Sequence, residues 1–355
     1  MAFKVATVNA SDVPSTQTNF PAYVDLSRLG ITTLAEAQSV RVYADEAKTT
    51  EWAREIVSVD EMHVKIPSLT TTTDIYVDYD GVRADYGVTD TYGRNAVWSD
   101  YEFVSHMEST GSSQIDSTGN GGDLGIENGA PTTGATGEIG NAVSFDGNDS
   151  YTQTAYALDA LTASTVQFIA KRDNTSGTNR GMFNYGDSYQ AGNYQQAWEL
   201  DFVGAGSTFL FYSHYKSQGS GATQRQQIIG TTNLGSGSFV WASATWDGAG
   251  QFELYANGSP EASATNANMT SMYNVSPTYD RLYVGRYENQ FGDRYFAGDL
   301  DELRVRELAL SANWIATEYN NQSDEATFWG TWTDAGGGGG PTANNSARRQ
   351  HLLSM

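Results

Sequence analysis

The sequence predicts an all-β fold built from sandwiches. Three observations carry this. Apolar and polar residues alternate with period two in many short runs, as in half-buried strands. The runs are separated by short clusters of Gly, Asp, Asn, Ser and Thr, which favour turns. The 37 Gly and 21 Tyr of the 355 residues further weight the chain toward strands and turns over helices.

Residues 1–82 carry the first set of strands. Phe20-Pro-Ala-Tyr-Val-Asp-Leu, Val40-Arg-Val-Tyr-Ala, Met62-His-Val-Lys-Ile-Pro and Ile75-Tyr-Val-Asp-Tyr each alternate. Asp45-Glu-Ala-Lys-Thr-Thr and Thr70-Thr-Thr-Thr-Asp read as turns between them. Leu34-Ala-Glu-Ala-Gln predicts a short helical turn. Five or six strands in about 80 residues suggest a small sandwich. Residues 83–97 read as a connection.

From Val97 the strand pattern resumes. Residues 109–137 read as a long Gly-rich loop. Strands follow at Ala142-Val-Ser-Phe, Ser164-Thr-Val-Gln-Phe-Ile-Ala, Ala197-Trp-Glu-Leu-Asp-Phe, Thr208-Phe-Leu-Phe-Tyr, Phe239-Val-Trp-Ala-Ser-Ala-Thr-Trp, Gln251-Phe-Glu-Leu-Tyr-Ala and Arg281-Leu-Tyr-Val-Gly-Arg. Asp247-Gly-Ala-Gly and Asn257-Gly predict tight hairpins. Leu300–Arg306 is the last strand, and Ser311 is placed to cap a short helix through Tyr319.

Phe145-Asp-Gly-Asn-Asp-Ser-Tyr, Trp246-Asp-Gly with Leu254-Tyr-Ala-Asn-Gly, and Phe296-Ala-Gly-Asp-Leu-Asp-Glu-Leu-Arg-Val resemble the LamG-like branch of the concanavalin A-like lectin/glucanase superfamily. Residues 1–82 are similar to an uncharacterised β-domain that often precedes LamG-like domains. Tyr92-Gly-Arg-Asn-Ala-Val-Trp-Ser-Asp-Tyr resembles the segment joining the two. The resemblance implies a jelly roll of two facing antiparallel sheets. The expected organisation is therefore an N-terminal small β-sandwich with its connection (1–97), a LamG-like jelly roll with a short C-terminal helix (98–333), and a linker-tethered tail (334–355). This superfold hosts lectins, enzymes and inert modules alike, so it does not itself assign a function.

Composition narrows the partners. The net charge of −22 repels nucleic acid and anionic membrane, so neither is an expected partner. No run approaches about 18 apolar residues, so no membrane insertion is expected. There is no Cys, and stability must come from core, metal or assembly. Met1-Ala-Phe-Lys-Val-Ala-Thr-Val lacks the basic and apolar regions of a secretory leader. A recognition module without a leader needs another route out of a cell, and release within a virus particle is one.

Three candidate sites follow. The first is a structural Ca²⁺ site. Asp116-Ser-Thr-Gly-Asn-Gly-Gly-Asp spaces oxygen donors at 116, 118 and 120, Asp146 ends a strand, and Asp301 precedes one. Related jelly rolls often carry a calcium ligand where Asp301 stands. Asp116 and Asp146 equally suit Asx turns. The second candidate is glycan hydrolysis. Trp198-Glu199-Leu200-Asp201-Phe202 resembles the catalytic strand of the glucanase relatives, with Glu199 and Asp201 on one face. The second carboxylic acid of a retaining pair should fall at Val203 or Gly204, so no enzyme is expected. The third is an aromatic platform of Tyr185, Tyr189 and Tyr194, suited to sugar stacking or to protein contacts in an assembly. The four His (63, 106, 214, 351) are scattered, show no metal-ligand spacing, and His106 is read as structural.

Residues 336–340 are all Gly, and Ala347-Arg-Arg-Gln-His-Leu-Leu-Ser-Met follows. Arg348, Arg349, Leu352 and Leu353 would serve as a docking tail, or the terminus would be disordered. The function expected is a non-enzymatic virion structural protein, in capsid decoration or a tail fibre. It would be present in multiple copies or as a homo-oligomer, touch other virion proteins, and display a lectin-like domain toward host-surface polysaccharide. A cellular, extracellular carbohydrate-binding or adhesion protein is the alternative.

Overall fold

The computed structural model describes residues 2–158, 161–173, 182–190, 193–203, 209–217, 223–276, 280–289 and 292–336. The all-β expectation holds. Two packed pairs of antiparallel sheets account for nearly all the regular structure, and two helices near the end complete it.

The smaller sandwich has a five-stranded sheet, ordered Thr333–Asp334, Ala2–Thr7, Asp74–Tyr79, Arg41–Tyr43, Glu51–Trp52. Facing it is a three-stranded sheet of Gln17–Asp25, Glu61–Leu69 and Arg54–Ile56. Alternation decides which side chains enter the core. Phe20, Ala22 and Val24 on one strand, and Met62, Val64 and Ile66 on its neighbour, are all buried in one apolar cluster with Ile75, Val77 and Val42. The same alternation puts Glu61, His63 and Lys65 on the opposite face. The helical turn Leu34–Gln38 forms as expected, with a reciprocal capping box between Thr33 and Glu36.

The larger sandwich has two eight-stranded sheets. One runs Arg225–Ile229, Phe209–Tyr215, Asn193–Val203, Phe183–Gln190, Leu282–Val284, Tyr151–Thr154, Leu124–Asn128, Ser113–Gln114. The other runs Thr132–Thr136, Asn141–Asp146, Ala297–Arg306, Ser164–Arg172, Phe239–Trp246, Gln251–Ala256, Ser259–Thr265, with Phe103–Ser105 also paired to Ala297–Arg306. Trp198, Leu200 and Phe202 from the first sheet meet Val166, Phe168, Trp246 and Leu254 from the second in one continuous core.

The segment 109–137, read as a loop, contributes the short strands Ser113–Gln114, Leu124–Asn128 and Thr132–Thr136. Ser113–Gln114 and Thr132–Thr136 are edge strands and Leu124–Asn128 is next to an edge, where pairing with neighbours supplies the order that their sequence does not encode.

The terminal helices link the two sandwiches. Helix Ala312–Ser323 is capped by Ser311, whose side chain accepts from the Trp314 amide. Trp314 and Ile315 are buried in the core of the smaller sandwich, with Phe328 and Trp329 from helix Glu325–Trp329. The Trp314 ring sits 5.2 Å from that of Phe20. Asn321 closes the contact by pairing with both backbone polar groups of Tyr23.

Strand Ala297–Arg306 is buried at every position. Leu300, Leu303 and Val305 enter the larger core. The step from 300 to 303 breaks strict alternation, and a bulge explains it. Across the ladder, Gln167 and Ile169 oppose Arg304 and Asp301, so an extra residue is inserted here, and Glu302 takes a left-handed backbone (φ 50°). The bulge aims Asp301 and Glu302 out of the core, toward the junction with the smaller sandwich.

Candidate functional site

At that junction lies a buried cluster of ionisable groups from both sandwiches. Glu61 and His63 share the outward face of strand Glu61–Leu69. Glu55, on strand Arg54–Ile56, stands directly opposite His63 in the ladder. From the larger sandwich come His106, just after strand Phe103–Ser105, and Glu302 at the bulge. One ligand atom from each of Glu61, His63, His106 and Glu302 lies within 4.8 Å of all the others.

The contacts are close. His106 Nδ1 is 2.6 Å from Glu302 Oε1 and 3.4 Å from Glu61 Oε1. His63 Nε2 is 3.0 Å from Glu61 Oε1 and 3.9 Å from Glu302 Oε1. The far nitrogen of His106, Nε2, is 3.1 Å from Glu55 Oε2. Glu55 also accepts from Trp98 Nε1 and, at 2.7 Å, from Ser117 Oγ. Arg304 donates to Glu302 and bridges to Glu318 Oε1 at 2.6 Å on helix Ala312–Ser323, with its guanidinium 4.9 Å from the Trp98 ring centre. The site is thus fixed by strands, helix and a buried indole together.

Electrostatics divide the groups sharply. Burial opposes charge on His106, but Glu302 and Glu55 overcome it and push its pKa up to about 10. Burial likewise opposes ionisation of Glu302, yet His106 and Arg304 hold it well below the usual carboxylate range. His63 is driven well below the usual imidazole range by burial and by the His106 charge. Glu61 and Asp301 are raised well above the usual carboxylate range by burial and by neighbouring carboxylates, Glu302 foremost. Oε2 of Glu61 accepts from no donor. Beside it is another carboxyl, that of Glu108.

A cleft of about 460 Å³ opens onto this cluster, lined by Glu55, His106, Glu108 and Ser117 on its inner wall. Arg54, Tyr86 and Arg94 line it as well.

Each of the three carboxylates expected as calcium ligands accepts hydrogen bonds from nearby amides. Asp116 is buried and accepts from the amides of Val104, Thr118 and Gly122 and from the Thr118 hydroxyl. Asp146 accepts from the amides of Asn148 and Ser150 and from the Ser150 hydroxyl, and these contacts hold it well below the usual carboxylate range. Both carboxylates organise the turns around them. Asp301 Oδ2 accepts from the amides of Glu138 and Ile139, next to the junction cluster. Among the described residues, the group with metal-ligand geometry contains none of the three.

Tyr185 is fully buried in the larger core, where its ring stacks 6.2 Å from that of Trp198. It cannot present a ring face to a sugar, because its alternation matches the inward Phe183 and not the outward Asn184. The side chains of Tyr189 and Tyr194 lie outside the described residues, as do Arg348, Arg349, Leu352 and Leu353 of the tail. Glu199 and Asp201 share one face, as read, and are 3% and 2% exposed. A Gln196 amide donates to Glu199 at 2.9 Å.

That face carries an ordered row. Gln153, Tyr283, Asn184, Glu199, Ser213 and Gln227 stand in register across six neighbouring strands. They alternate with core residues and so point away from the core. Gln227 at one end is exposed and Gln153 at the other half-buried, while Tyr283, Asn184, Glu199 and Ser213 between them are buried.

Sequence reading missed the junction cluster. Its members are 241 positions apart at the extremes (302 − 61), and no local spacing joins them. The one available signal was the placing of Glu61 and His63 two residues apart, on one face of a strand.

Residues 146–316 match the family model of the concanavalin A-like lectin/glucanases superfamily, and the larger sandwich has a concanavalin A-like fold. No curated protein matches the chain. Solved structures with a similar fold include the binding domain of a botulinum neurotoxin DC in complex with rat synaptotagmin II (10% identity, TM-score 0.49, covering 65% of this chain and 52% of that one). Domain 4 of an extracellular GH43 arabinanase from Geobacillus stearothermophilus, in complex with arabinotriose, is also similar (21% identity, TM-score 0.46, covering 61% and 97%). A heptameric pentraxin from Limulus polyphemus is more distant (19% identity, TM-score 0.39, covering 51% and 82%). The chain spans about half the length of the first of these.

Proposed function

We propose that this chain is a non-enzymatic recognition protein whose concanavalin A-like domain binds glycan, displayed in many copies on the surface of a virion. The observation that carries the glycan reading is the in-register polar row from Gln153 to Gln227, which reaches solvent at its two ends, Gln153 and Gln227. Amide, hydroxyl, carboxylate and phenol groups alternate along it, which suits the mixed donors and acceptors of a sugar. Hydrolysis is disfavoured by the residues at hand. Glu199 and Asp201 are both buried, and the position for a second acid holds Val203 or Gly204. Gly204 lies outside the described residues.

Display in many copies would turn weak sugar contacts into avidity. The Gly-linked tail with Arg348, Arg349, Leu352 and Leu353 is the proposed docking element to other virion proteins.

A glycan array with the full chain tests the sugar reading. Binding to a polysaccharide that is weakened by Gln153→Ala and Gln227→Ala supports it. No binding to any glycan overturns it. Co-purification with particles tests display, and deleting residues 341–355 should release the protein. Unchanged incorporation would overturn tail docking.

A further inference from the structure

We infer that Glu61, His63, His106 and Glu302 bind one divalent transition-metal ion of the zinc class, which clamps the two sandwiches together. The donors are two imidazole nitrogens and two carboxylate oxygens, a set that zinc-class ions accept and that the harder calcium ion does not favour. Zinc bonds of about 2.0–2.1 Å give tetrahedral ligand separations of about 3.3 Å. The four separations between His and Glu donors run from 2.6 to 3.9 Å. Small side-chain adjustments therefore suffice to centre an ion.

The surroundings point to a cation as well. Five carboxyl groups (Glu55, Glu61, Glu108, Asp301, Glu302) converge here, and Arg304 is shared with a sixth, Glu318. Glu61 is 1% exposed and its Oε2 has no donor, with the Glu108 carboxyl beside it. Two such carboxyls rest side by side only with a shared proton or a cation. A divalent ion would neutralise Glu61 and Glu302 while both imidazoles stay neutral.

An outer layer is also in place. His106 ligating through Nδ1 would donate Nε2–H to Glu55, itself held by Trp98 and Ser117. Such carboxylate–histidine pairs orient metal-bound imidazoles. All four ligands come from the protein and are buried, the signature of a structural site and not of a catalytic one. The adjoining cleft, walled by His106 and Glu108, gives an ion a route in. Glu61 and His63 belong to the smaller sandwich, and His106 and Glu302 to the larger, so the ion would join them.

The test uses the full chain, stripped with a chelator and then titrated with Zn²⁺, and with Co²⁺ as a spectroscopic stand-in. The expected result is one ion per chain, a higher Tm, and visible Co²⁺ absorption of a four-coordinate site. Glu61→Gln and His63→Gln should each weaken binding by more than about 100-fold. Both variants are checked for folding by circular dichroism before titration. If either fails to fold, the wild-type stoichiometry and Co²⁺ spectrum decide. No stoichiometric binding by the wild type, or binding unchanged in a folded variant, would overturn the site. The first outcome would leave a purely proton-sharing cluster, and the second would place the ion elsewhere.

Discussion

His63 and His106 stack face to face across the junction of the two sandwiches, with ring centres 4.5 Å apart and planes 20° apart. One ring belongs to a strand of the smaller sandwich, the other to a segment of the larger. Two buried imidazoles this close cannot both hold a proton cheaply. Without a bound cation, burial and the charge on His106 keep His63 neutral, while Glu302 and Glu55 keep His106 charged. The pair is a contact that neither sandwich can make alone.

Arg304 is the counter-cation for two buried carboxylates, Glu302 and Glu318. Arg304→Met would leave Glu318 without its cation and Glu302 with His106 alone. Breaking a buried pair in this way costs about 3–5 kcal/mol. Urea unfolding should show that loss, and a change under about 1 kcal/mol would mean that solvent reaches the pair.

His214 reports on acid stability. It is buried against Trp246, 4.3 Å between ring centres, and Nε2 faces the Ser271 carbonyl. Burial lowers its pKa to about 4. Between that value and the unfolded value near 6.5, the unfolded chain binds a proton that the folded chain does not. Stability therefore falls as pH drops through this window, by about 3 kcal/mol from this group. His214→Phe should flatten the stability profile between pH 6.5 and 4 by that amount relative to wild type. Parallel profiles would show that His214 does not carry the effect.

Gly248 sits in the hairpin after Trp246 with φ +77°, and a Cβ there would lie 2.1 Å from the Thr162 carbonyl oxygen. The obstacle is backbone and cannot rotate away. Gly248→Ala should cost at least about 1–3 kcal/mol, from backbone conformation alone. Thermal unfolding measures it, and an unchanged Tm would contradict the close approach.

Trp314 fastens the terminal helix to the smaller sandwich. It is 5% exposed, packs on Phe20, and lies under the Arg306 guanidinium at 4.8 Å. Trp314→Ala should destabilise by about 3–5 kcal/mol. Amide exchange should also rise in both helix Ala312–Ser323 and strand Gln17–Asp25. Exchange rising in the helix alone would show that the strand does not depend on this contact.

The sequence by itself determined the strands that alternate strongly. Phe20 to Val24, Met62 to Ile66 and Phe239 to Trp246 each read as a strand because every second residue must be apolar to bury one face. It determined the helix start at Ser311 and the turn at Thr33, whose side chains satisfy nearby amides. These are local effects, legible within a few residues. Only the tertiary structure decided that Tyr185 faces the core, because it shares a face with Phe183 and that face is the one packed on the opposite sheet. Only the tertiary structure turned Asp116 and Asp146 into turn anchors, because that depends on which amides fold back toward them. It alone brought Glu61 and His63 against His106 and Glu302. The two pairs lie on separate sandwiches, and their proximity is set by how those bodies pack, which no local spacing records.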